Sequence, residues 1–161
     1  MIYTARYQNR NVADDKFVKV AITVGLPKFQ LGYELAGRIK ELAPWSLMNE
    51  HNHEVFVVKY TECLDRIGVR RIRERLLEFE QEGKDTVLLC YENIEENKHC
   101  HRRAFADWWR EKTGELIDEL PEAKEVRQLA VEVECHSDNP AGPMKPPLIL
   151  NTKPFRQNKL F

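Results

Sequence analysis

Apolar positions in the first half of the chain fall into short runs, each closed by glycine, proline or a polar cluster. Residues 2–7, IYTARY, alternate weakly and are rich in β-formers, which predicts an opening strand. Residues 17–24, FVKVAITV, are almost wholly apolar and predict a second strand of the kind covered on both faces. Residues 86–89, bounded by Gly83 and a polar loop, predict a third. Other segments repeat at helical spacing. Phe56, Tyr60, Leu64 and Ile67 mark a helix over about 54–66, and Val69, Ile72, Leu76 and Phe79 mark another over 69–82. Phe105, Trp108 and Trp109 mark a third from His101 to about Thr113, with Gly114 as its stop. Leu35, Ala36, Ile39, Leu42 and Ala43 also fit a helix face, ended by Pro44. Residues 115–120 add a short strand before Pro121, whereas 122–135 begin like a helix and continue like a strand.

Strands alternating with helices imply an α/β fold: a single compact domain over 1–138, its small, mostly parallel sheet flanked by helices. Five of the eight prolines lie between Pro140 and Pro154, so 139–161 reads as a Pro-rich extension, extended or disordered. A chain of 161 residues can bury one good core. Hydrophobic residues at 42% and charged residues at 32% suit a soluble globular protein, and no apolar run approaches the roughly 20 residues that span a bilayer. The amino terminus carries no hydrophobic signal core, which points to the cytoplasm. The net charge of −1 makes nucleic acid the less favoured partner. A basic cluster at Arg70, Arg71, Arg73 and Arg75 could meet phosphates, but Glu74, Glu78 and Glu80 are placed to pair with it, and a solvated, ion-paired face is the favoured reading. His51 and His53 sit two apart in a loop and read as solvated rather than ligating, and Cys63 as a small buried hydrophobe.

Chemistry concentrates between Val87 and Trp109. A strand, a polar loop and a helix follow one another there, and the turn holds Cys90, Glu92, His99, Cys100, His101, Arg102 and Arg103. Strand carboxyl ends and helix amino ends share a crevice in α/β proteins, which makes this turn the candidate site. Cys100 opens the helix, where the dipole favours a thiolate. Glu92 is the natural acid/base, and Arg102 is an anion holder or the partner of Glu92 or of a loop carbonyl. Three mechanisms compete: a nucleophilic cysteine, a Cys90–Cys100 redox pair, and a metal held by Cys90, Cys100 and His99 or His101. The spacing C-x9-C-H is not a standard zinc pattern, so no metal or other cofactor is assigned. The bland alternative makes both cysteines core residues and the charges helix caps.

At these residues the chain resembles the domain-of-unknown-function 488 family. The matching pieces are IYTARY at 2–7, P-K-F at 27–29, LAP at 42–44, LLCYE from 88, CHRR-x-x-A-D-W from 100 to 108, and Tyr60 with Leu64. The resemblance covers about residues 1–120 and implies a compact α/β domain with its site beside this loop. It carries over Cys90, Glu92, Cys100, His101 and Arg102 as motif positions, and no reaction. Many members have D-V-R after the second strand where this chain reads AITVG, so Arg6 and Lys28 would supply the positive charge. The expectation is an enzyme or enzyme-like binder of a phosphorylated or nucleotide-like small molecule. Cys90, Glu92, Cys100 and His101 would do the chemistry, with Arg102, Arg6 and Lys28 as ligand contacts. The alternatives are a nucleic-acid-interaction module and a metal-binding protein. The oligomeric state is not encoded in any recognisable pattern.

Overall fold

The computed structural model describes residues 1–94 and 100–122. These form one α/β domain around five parallel strands: β1 (Ile2–Arg6), β2 (Phe17–Ala21), β3 (Gly37–Arg38), β4 (Asp85–Cys90) and β5 (Asp118–Glu119). The sheet order is β3-β2-β4-β1-β5. The α-helices are α1 (His53–Ile67), α2 (Val69–Leu77) and α3 (His101–Thr113). No helix among the described residues is long and apolar enough to cross a membrane.

The order of the strands decides where everything else lies. The connections β1→β2 and β2→β3 run towards the β3 edge, whereas β3→β4 and β4→β5 run back towards β5. Crossovers of a single hand then place the two sets on opposite faces. The packing agrees. Phe56, Tyr60, Leu64, Ile72, Phe105, Trp108 and Trp109 of the three helices cover Val18, Val20 and Leu88 on one face. On the other, Val12 of a 3-10 turn (Arg10–Ala13) and the segment carrying Leu31, Tyr33 and Leu35 cover Ala5, Phe17, Ala21, Val87 and Leu89. Neighbouring residues along β4 thus belong to different cores, the signature of a strand covered on both sides.

Local signals set the helix ends. Asn52 accepts a hydrogen bond from the Val55 amide at 3.1 Å and starts α1. Gly68, at φ +81, turns the chain between α1 and α2, and Gly114, at φ +76, closes α3 in the left-handed conformation that glycine adopts without a Cβ penalty.

One predicted helix is absent. The segment with Leu35, Ala36, Ile39 and Leu42 forms β3 followed by a short 3-10 turn (Lys40–Leu42). The outer edge of β2 needs hydrogen-bond partners, and Ala36 donates to the Lys19 carbonyl while Ile39 donates to that of Ala21. Leu35 packs on one face and Ile39 with Leu42 on the other, so the helical spacing of these residues is coincidental. The second strand is also shorter than 17–24, although the Ile22 amide still bonds the Leu89 carbonyl. The second helix ends at Leu77 rather than near 82. Cys63 is half-buried and receives a hydrogen bond from Arg66, so it is not a core residue. The ambiguous 123–135 stretch and the Pro-rich 139–161 extension lie outside the described residues.

Close packing at β3 gives the first testable consequence. A Cβ on Gly37 would come 2.5 Å from Cε1 of Phe79, so the ring must move. Gly37→Ala is expected to cost about 1–3 kcal/mol by overpacking, read as a lowered urea midpoint with an unchanged slope.

Candidate metal centre

Cys90 ends β4 with the same facing as Leu88, towards the helices, and α3 begins directly opposite it. The neighbours of β4 are β1 and β2, whose outgoing connections cross the other face of the sheet. The carboxyl end of β4 is therefore a point where connections part to opposite sides, the position at which parallel α/β sheets open a crevice.

Four side chains converge there. The donor atoms of Cys90, Glu92, Cys100 and His101 all lie within 4.8 Å of one another. The two sulfurs are 3.7 Å apart, Cys100 Sγ is 3.4 Å from Glu92 Oε2, and Cys90 Sγ is 3.4 Å from His101 Nδ1. The Cys90 thiol also donates to Glu92 Oε2. Ligands at about 2.0–2.3 Å from a tetrahedral ion stand about 3.3–3.8 Å from each other. The Cys90–Cys100, Cys100–Glu92 and Cys90–His101 separations fall in that range, while the Cys90–Glu92 pair is drawn closer by its thiol hydrogen bond and would have to part around an ion. The spacing C-x9-C-H gives no zinc signature along the chain; the fold closes that gap by bringing the start of α3 onto the end of β4.

The imidazole has a fixed tautomer. His101 Nε2 is 2.8 Å from the Ile22 carbonyl, which can only accept, so Nε2 carries the hydrogen and the Nδ1 lone pair faces the sulfurs. Burial lowers the His101 pKa and keeps the ring neutral, and Arg102 acts in the same direction against the opposing pull of Glu92. A neutral histidine oriented through a backbone carbonyl is the form that binds metals. Burial, then hydrogen bonding and charge from Cys100 and Glu92, raises the Cys90 pKa far above the usual thiol range. Burial pulls Glu92 upward too, but hydrogen bonds from Cys90, its own amide and Cys100 hold it below its ordinary value.

Arg102 sits beneath the cluster, 1% exposed. Its carboxylate partner is Glu119, reached by Nε at 3.0 Å and Nη2 at 2.8 Å, and not the side chain of Glu92. Nη1 donates to the Glu92 main-chain carbonyl at 2.6 Å and to Cys100 Sγ at 3.3 Å. Thus one guanidinium ties β5, the loop and a cluster sulfur together. Arg6 is in register with Cys90 on β1, but its guanidinium holds the Glu122 carboxylate, with Nη2 at 2.7 Å from Oε2. Lys28 is exposed on a loop whose next residue, Phe29, packs edge-on against Tyr91. The fold therefore brings together Cys90, Glu92, Cys100, His101 and Arg102, and leaves Arg6 and Lys28 at the margin. His99 lies outside the described residues. Sequence reasoning missed Glu119 and the Ile22 carbonyl; neither carries a local signature, since both arrive through the sheet.

The basic cluster on α2 is ion-paired. Arg70 and Arg71 meet Glu74, Arg73 meets Glu115, and Arg75 meets Glu41 and Glu78. Among the described residues, no other cluster of three or more His, Cys, Asp or Glu side chains is placed to hold a metal ion.

Residues 2–113 match the family model described as the active DUF488-N3 subclade. This chain belongs to the DUF488 family. The matched region contains every side chain of the DUF488 cluster, from Cys90 through Arg102, and stops short of Glu119. No curated protein and no solved structure matches the chain.

The shifted thiol has a signed consequence for this DUF488 chain. Unfolded, Cys90 ionises near 9.0; folded, it keeps its proton to much higher pH. Its contribution to stability is complete below the unfolded value and is lost as pH climbs from there towards the folded one. Without metal, the protein is expected to lose stability above pH 9.0, and Cys90→Ser to flatten that loss until Tyr60, also raised by burial, contributes above 10.0. Urea midpoints taken across this range check it.

Proposed function

We propose that this protein is a metalloprotein. Cys90, Glu92, Cys100 and His101 hold one zinc-class ion at the mouth of β4, and the ligand chemistry of the crevice runs through that ion. The observation that carries this reading is the mutual approach of four donor atoms, with His101 Nδ1 aimed inward by the Ile22 carbonyl. Two thiolates, an imidazole and a carboxylate form a borderline-soft set that favours zinc over the oxygen-seeking magnesium and calcium.

The thiol reading and the metal reading converge here. A buried cysteine held protonated is a poor nucleophile. An ion that replaces the thiol protons turns the same two sulfurs into thiolates and brings its own charge to the crevice. A phosphorylated or nucleotide-like ligand would meet that ion rather than Arg102, whose fork is filled by Glu119. The family description calls the subclade active, which fits a site of this composition.

Metal analysis of untagged protein, purified without chelators and then re-titrated with zinc after stripping, tests the proposal. One equivalent per chain is expected, with loss of tight binding in Cys100→Ser and His101→Ala. Protein that neither arrives with metal nor takes up zinc would sink it.

A further inference from the structure

We propose that Glu92 is the displaceable ligand of this centre and that a small monoanion, hydroxide included, takes its place on the ion. Resting on the metal reading above, this makes the centre one that binds and activates an incoming ligand, in contrast to a closed structural site.

The inference follows from what holds each ligand once a metal is present. Cys90 is fixed by β4, which pairs with a strand on each side. His101 keeps its Nε2 hydrogen bond to the Ile22 carbonyl, and Cys100 keeps the Arg102 Nη1 contact to its sulfur. All three are 3% exposed or less. Glu92 differs on every count. It is half-buried, lies in a stretch with no regular structure, and its carboxylate is held by the two thiols and its own amide. The thiol protons are the ones an ion displaces. Metal binding therefore removes both thiol hydrogen bonds to Glu92, leaving its carboxylate only the contact with its own amide, while His101 and Cys100 keep their partners. The ligand with the poorest outer support is the most weakly held one.

An incoming ligand has a route. A groove of about 530 Å³ between α1 and α3 reaches Cys100, with Val57 and Trp108 on its apolar side and His53 and Arg103 among its polar lining. Arg103, exposed and three residues from Cys100, places a positive charge at the cluster end of the groove, while the carboxylates of Asp107 and Glu111 line it further along α3. The exchange is simple to balance. One bond from the ion to Oε2 breaks and one bond to the incoming anion forms, the ion keeps its oxidation state, and the freed carboxylate turns towards solvent.

Cobalt(II)-loaded full-length protein titrated with thiocyanate is the test, followed through the visible ligand-field bands. Wild type is expected to show a saturable spectral change. Glu92→Gln should still take one equivalent of cobalt and bind thiocyanate about tenfold more tightly, whereas Arg103→Ala should bind it several-fold more weakly. One equivalent of cobalt with spectra indifferent to thiocyanate in both wild type and Glu92→Gln overturns this proposal alone. Failure of wild type to take up cobalt overturns it together with the metal reading.

Discussion

Arg102→Ala is expected to lower stability by about 3 kcal/mol, a fall in melting temperature on the order of 10 °C. The guanidinium is 1% exposed, and it satisfies the Glu119 carboxylate, the Glu92 carbonyl and Cys100 Sγ at once. Truncation leaves a buried carbonyl and a cluster sulfur without their donor, and it strands the Glu119 charge. Because the Glu119 side chain keeps 36% of its exposure, that charge is partly rehydrated, which holds the loss near the lower end for a broken buried pair. Arg102→Lys separates charge from geometry. Lysine has no planar fork and cannot serve three acceptors in these directions, so it should recover less than half of the loss. An Arg102→Ala protein that melts with wild type would show that the β5 tie carries no stability.

Zinc added to chelator-stripped protein is expected to raise the melting temperature by a similar or larger amount. A ligand that binds only the folded state stabilises by about 4 kcal/mol at a thousandfold excess over its dissociation constant, and sites with two thiolates are tight. The shift should vanish in His101→Ala, which removes the imidazole, and in Cys100→Ser. It should persist in Cys63→Ser, because Cys63 lies on α1 bonded to Arg66 and away from the cluster. Scanning calorimetry with and without zinc on these four proteins decides it. A shift of equal size in all of them would mean the ion binds somewhere else.

Much of this site could be read along the chain because β4, the loop and α3 are consecutive. The apolar run before Cys90 and the Phe105–Trp108–Trp109 stripe mark the strand and the helix, and the reactive residues lie between them. The errors come where tertiary demands override local pattern. Leu35, Ile39 and Leu42 are spaced for a helix, yet the open edge of β2 pulls the segment between them into the two-residue strand β3, and Leu42 falls in the 3-10 turn after it. Arg102 does bond a loop carbonyl, that of Glu92, as its place in the chain suggests, but its carboxylate partner is not the Glu92 side chain: β5 delivers Glu119 from seventeen residues further on. The metal geometry was hidden for the same reason. A backbone carbonyl such as that of Ile22 has no sequence signature, and it alone fixes which nitrogen of His101 faces the sulfurs.

The central position of β4 bears on how the chain first folds as it is made. β1 and β2 leave the ribosome early, but they do not pair with each other; each pairs with β4, which arrives only at residues 85–90. Until then both apolar strands wait with open edges, so the sheet closes late and through contacts distant in sequence. Unpaired strand edges are most prone to aggregate in that interval, and the segment that ends it is the one that also delivers Cys90.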